Sequence, residues 1–82
     1  MEDLASITAK LARQQINILD VKYEDEGIEG IEFEYGWRVT PTSIKWTRAF
    51  FEVQTYGAHN SLKIAYKDLL EFVNSVRDNL EG

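Results

Sequence analysis

The stretch LDVKYEDEGIEGIEFEY, residues 19–35, decides the fold. Leu19, Val21 and Tyr23 alternate with Asp20, Lys22 and Glu24, the two-residue period of a half-buried strand. Asp25, Glu26 and Gly27 then supply turn chemistry, with Gly27 free to take a positive φ. Alternation resumes as Ile31, Phe33 and Tyr35 against Glu32 and Glu34. A β-hairpin is expected, with Leu19, Val21, Tyr23, Ile31, Phe33 and Tyr35 on its inner face.

Outward from the hairpin, the N-terminal segment from Glu2 to about Gln15 spaces Leu4, Ile7, Leu11 and Ala12 as one stripe of a helix, with Glu2 and Asp3 at its positive dipole end. On the C-terminal side, Thr40-Pro41 either ends a strand or opens a helix, and strand is the expectation beyond Ser43. In that strand Ile44 and Trp46 share one face while Phe51 and Val53 share the other. A β-bulge between residues 47 and 50 would restore a single buried face. Without one, Trp46, Arg48 and Phe50 point away from the core, and Phe51 is the buried ring of the adjacent pair. Gly57 to Ser61 reads as a loop. Leu62, Ala65, Tyr66, Leu69, Phe72, Val73, Val76 and Leu80 suit one long helix, whereas Leu62 and Ile64 also suit a short strand before a helix starting near Lys67 with Asp68 in its first turn. The order is helix, three or four antiparallel strands, helix: a two-layer α+β fold over residues 1–82, one domain.

Eighty-two residues hold one core, and ten aromatics among them argue for a folded chain. Without cysteine there is neither a disulfide framework nor a thiolate metal site. The start MEDLASITAKLA carries acids where a signal peptide needs bases, and no long apolar run follows, so a cytoplasmic protein is expected.

Charge is distributed unevenly. Residues 24–36 hold six carboxylates (Glu24, Asp25, Glu26, Glu29, Glu32, Glu34) and no base, and residues 37–51 hold three bases (Arg38, Lys45, Arg48) and no acid. The formal net charge of -5 points away from nucleic acid and from an anionic membrane surface. Glu32 and Glu34 lie on one face of their strand, about 7 Å apart. In the plainer reading they form a solvated face and pair across strands with Lys45 and Arg48. In the functional reading they steer a basic partner toward the chain.

The remaining chemistry is sparse. The carboxylate-dense turn lacks the ligand spacing of a calcium loop. His59 is the sole histidine, and a triad or zinc site lacks its other members. Two carboxylates can do acid and base work, but only where a cleft desolvates one of them, and so short a chain rarely builds such a cleft. No enzyme activity, cofactor or metal is expected. KWTRAFFEVQTY interleaves bases and aromatics, a composition shared by strand cores, protein hot spots and single-strand binding platforms.

The expected function is a protein-binding module, an inhibitor or regulator that docks Glu24, Asp25, Glu26, Glu29, Glu32, Glu34, Trp46, Arg48 and Phe50 onto a basic, nucleic-acid-handling protein. In size and charge, though in no motif, it is similar to small phage inhibitors of host nucleases or defence complexes. The alternatives are a single-stranded nucleic-acid or small-ligand binder using Trp46, Arg48 and Phe50, and a homodimeric or larger accessory subunit paired through a sheet edge.

Overall fold

The computed structural model describes residues 4–24, 27–54 and 61–81. Its order is α1 (Leu4–Arg13), β1 (Ile16–Glu24), β2 (Gly27–Thr40), β3 (Ser43–Glu52) and α2 (Ser61–Glu81). The three strands form one antiparallel sheet in the order β1-β2-β3. This is the α+β arrangement read from the sequence, with three strands.

In α1, Ile7 and Leu11 are buried one turn apart, while Leu4 and Ala12 are exposed, so the apolar stripe is narrower than the spacing predicts. The helix ends on Gln15, whose φ of 64° turns the chain into the sheet. Gln15 N–H donates to Ala12 O at 3.0 Å, and Gln15 O accepts from Gly36 N–H at 2.8 Å, which ties the helix end to β2.

The hairpin is present, but its inner face differs from the sequence reading. Ile16 lies opposite Tyr35 and Ile18 opposite Phe33, the register then slips at Leu19, and Asp20 and Val21 face Glu32 and Ile31. The bulge reverses the phase of β1, so Ile16 and Ile18 pack inward before it and Val21 after it, as the sequence expects of Val21, while Leu19 at the bulge is exposed and Tyr23, opposite Ile28 near the strand end, is exposed as well. A second slip lies at Glu29 in β2.

β2 runs for 14 residues, and only β3 accompanies its last part, Trp37 to Thr40. This two-stranded ribbon turns at Pro41-Thr42, so Pro41 closes a hairpin and opens no helix. The Thr40 and Ser43 hydroxyls meet at 2.8 Å across the turn. Pairing from Ile44 to Glu52 has no slip, and the one shift, at Val39 of β2, lies outside residues 47–50, so no bulge there rescues the apolar phase of β3.

α2 is one helix of 21 residues, and the strand alternative for Leu62 and Ile64 is overturned. Asp68 therefore lies two turns inside it. Ala65, Leu69 and Val73 recur every four residues and are fully buried. With Phe33, Ile16 and Ile31 from the sheet they form the centre of the core, where each large apolar side chain contributes about 1.5 to 3 kcal/mol. Both helices pack on the sheet face that presents Ile31, Phe33 and Tyr35. Arg77 of α2 donates from Nη2 to Gln14 O, joining the two helices.

Candidate functional site

Among the described residues, no helix lies on one face of the sheet. Its rows follow from the pairing: Lys22, Gly30 and Glu52; Asp20, Glu32 and Phe50; Asn17, Glu34 and Arg48; Gly36 and Trp46; Arg38 and Ile44. Residues directly opposite share a face, so these side chains lie together on the open side. Trp46, Phe50 and Ile44 are each more than two-fifths exposed there. In a 10-residue edge strand, that is a large apolar surface left in water.

Two glycines shape this surface. A Cβ on Gly30 would sit 2.1 Å from Phe50 Cζ, and one on Gly36 would sit 3.3 Å from Trp46 Cη2 and 2.8 Å from Ile44 Cγ2. Phe50 and Trp46 therefore lie flat across the β2 backbone rather than standing up from β3. Each ring buries a glycine and keeps its outer surface exposed.

The acids and bases of the face are sorted along its length. Asp20, Glu32 and Glu52, with Lys22, occupy the end near the first hairpin, Glu34 and Arg48 the middle, and Arg38 the end toward the ribbon. Glu34 accepts a 3.1 Å bond from Asn17 Nδ2, and Lys22 Nζ lies 3.7 Å from Asp20 Oδ2. Arg48 stands opposite Glu34 in the register. Lys45 does not join them: it lies opposite Trp37 on the other face, its Nζ 5.6 Å from the indole centroid. The same indole donates from Nε1 to Thr47 Oγ1 at 3.1 Å.

Of the residues singled out in the sequence, Glu32, Glu34, Trp46, Arg48 and Phe50 are gathered on this face. Glu24 and Glu29 are exposed at its acidic end. Asp25, Glu26 and His59 lie outside the described residues. Sequence reasoning missed Gly30, Gly36, Arg38 and Ile44. The signal for Ile44 and Arg38 was their even-numbered phase with Trp46 and Glu34, and for the glycines their even spacing within the acidic strand.

Two depressions open elsewhere. One of about 360 Å³ lies between α1 and β1, lined by Leu4, Thr8, Ile18, Val21, Tyr23 and Tyr66, with Asp20 at its margin. The Tyr66 phenol is buried with no hydrogen-bonding partner, and burial, reinforced by Tyr23, pushes its pKa up to about 12 although Thr8 acts weakly the other way. The other, about 240 Å³, lies between the helices, where Lys10, Lys63 and Lys67 frame an apolar floor. Neither brings together a nucleophile, a base and a group to orient it. Among the described residues no cluster of His, Asp and Glu could hold a metal ion, and no helix is long and apolar enough to cross a membrane.

No family model, characterised protein or solved structure matches this chain. The functional reading therefore rests on the open face alone.

Proposed function

We propose that this chain is a non-enzymatic protein-binding module that uses the open face of its sheet, an inhibitor or regulator of a basic protein. The observation that carries the reading is the row of Ile44, Trp46 and Phe50 exposed beside Glu32 and Glu34 on a sheet face that no helix covers. Flat aromatic rings supply affinity at small entropic cost, and the acids at one end supply orientation and rate. Basic proteins that handle nucleic acid are the partner class of fitting charge, because their own phosphate-binding grooves make them basic.

The test compares proteins retained from a lysate by the wild-type chain and by Phe50→Ala and Trp46→Ala variants, at low and high salt. Basic proteins held by the wild type, released by salt and lost from both variants support the reading. The same proteins held by all three baits overturn it.

A second reading has one observation in its favour: Trp46, Arg48 and Phe50 alternate on the open face as stacking and cationic groups do on single-strand platforms. Asp20, Glu32 and Glu34 repel phosphate from the same surface. Quenching of Trp46 fluorescence by an oligonucleotide, abolished by Arg48→Ala, would favour this reading.

A further inference from the structure

The open face has a symmetry that its charge order reveals. Centred on the Glu34–Arg48 row, Phe50 and Trp46 lie two residues to either side, and Glu52 and Ile44 four residues to either side. On β2, Glu32 and Gly36 are placed likewise, as are Gly30 and Arg38. The half toward the first hairpin carries Asp20, Glu32 and Glu52, its one base Lys22 lying 3.7 Å from Asp20. The other half carries Arg38, with Arg48 at the centre.

We infer that in the free protein a second copy of this chain covers the open face, related by a two-fold axis that runs across the strands at the Glu34–Arg48 row. This rests on the reading of that face as a contact surface and names its occupant before any other partner arrives. The axis reverses the strand direction, so each Phe50 ring meets Trp46 of the second copy. Arg38 falls between Glu32 and Glu52 of the second copy, while at the axis Glu34 meets Glu34 and Arg48 meets Arg48, each pair beside the opposite charge of the neighbouring strand. An axis along β2 would instead set Glu32, Glu34 and Arg38 each on its own copy, with no opposite charge between them and no ring opposed to a ring. Glycine cover makes the fit feasible: with Phe50 and Trp46 lying flat over Gly30 and Gly36, two faces approach at sheet-packing distance.

The footprint is modest. Strand rise and spacing give a face roughly 26 Å long and 10 to 14 Å wide. Such an area suits a weak, exchangeable pair rather than an obligate dimer. A basic partner could then displace the second copy without first unfolding anything.

Since the chain has no cysteine, single cysteines report the geometry cleanly. Arg48→Cys lies beside the axis and should form a disulfide-linked dimer on mild oxidation. Glu52→Cys alone should stay monomeric, yet it should cross-link when mixed with Ile44→Cys. Sedimentation of the cysteine-free chain over a series reaching high micromolar should show monomer passing to dimer. Arg38→Glu should weaken the dimer about tenfold, and Glu32→Arg in the same chain should restore it. A wild-type chain monomeric throughout overturns the inference, as does Glu52→Cys cross-linking to itself as readily as Arg48→Cys. If the chain is monomeric while Phe50→Ala still loses its basic partners, the dimer alone fails. If lysate capture is also indifferent to Phe50, the reading of the face fails with it.

Discussion

The ring of Phe50 rests on the backbone of Gly30, so close that a single added methyl would overlap Phe50 Cζ at 2.1 Å. Alanine would normally stiffen a strand position by about 0.5 to 1 kcal/mol relative to glycine. Here the overlap outweighs that gain, and Gly30→Ala should cost about 1 to 3 kcal/mol as the ring is forced away. On a Phe50→Ala background the same change should turn neutral or stabilising. Denaturant melts of the four chains give the coupling directly. Equal effects of Gly30→Ala on both backgrounds would show that the ring does not depend on the glycine.

Adjacent Phe50 and Phe51 should respond differently to truncation. Phe51 turns toward the helices, where it meets Phe72 with ring centroids 5.5 Å apart, and it is only partly buried. Phe51→Ala should therefore cost about 2 to 3 kcal/mol, below the 3 to 5 expected for the fully buried Phe33. Phe50→Ala should cost less than Phe51→Ala and act mainly on binding. Chemical melts rank the three, and a Phe50→Ala chain as unstable as Phe33→Ala contradicts the assignment of faces.

Gln15 takes a left-handed backbone conformation, φ 64°, where the helix meets the sheet. For a residue with a Cβ that conformation costs about 1 to 2 kcal/mol, more than the extra chain entropy that glycine loses on folding. Gln15→Gly should raise stability by about 0.5 to 1 kcal/mol, visible as a higher denaturation midpoint at unchanged slope. A lower midpoint would mean that the Gln15 side chain holds the junction.

Tyr66 gives the fold an alkaline limit. An unfolded tyrosine ionises near 10.0, whereas the buried phenol keeps its proton to about 12. Between those values the folded state binds more protons than the unfolded, so stability falls as pH rises through the window. The loss attributable to Tyr66 is on the order of 2 to 3 kcal/mol. Tyr66→Phe should be near neutral at pH 7, because the buried hydroxyl has no partner to lose, and should fall less steeply above pH 10. Parallel stability curves for the two chains would exclude Tyr66 as the source.

Association should also depend on the carboxylates. Replacing Glu29, Glu32 and Glu34 with Gln should slow binding of a basic partner and flatten its salt dependence while the fold persists. An unchanged association rate in stopped flow would rule out steering by these residues.

The element types were legible because period is a local property. Ile31, Phe33 and Tyr35 alternate as a strand must, and Ala65, Leu69 and Val73 recur as a helix must. On β1 the inward place of Val21 was legible and that of Leu19 was not, because the extra residue there shifts the phase between Ile18 and Val21 and no local pattern marks the slip. Likewise Leu62 and Ile64 fit a strand in isolation, whereas in the helix Leu62 packs with Ala65 and Leu69 on the core. The site was half legible. Phase alone placed Trp46, Arg48 and Phe50 outside the core, but the glycines beneath the rings and the position of Arg38 depend on register between strands, which one strand's sequence does not carry.

The chain visits its sheet in sequence order, and two residues separate each strand from the next. Closing such short loops costs little entropy, so the meander can zip from either turn on a microsecond timescale. The helices are bound by a different rule: the bond from Arg77 to Gln14 spans 63 residues and closes a far longer loop. The sheet's short-range contacts thus stand apart from the long-range ones that place both helices on the face with Phe33, and among the described residues the opposite face takes no part in the latter.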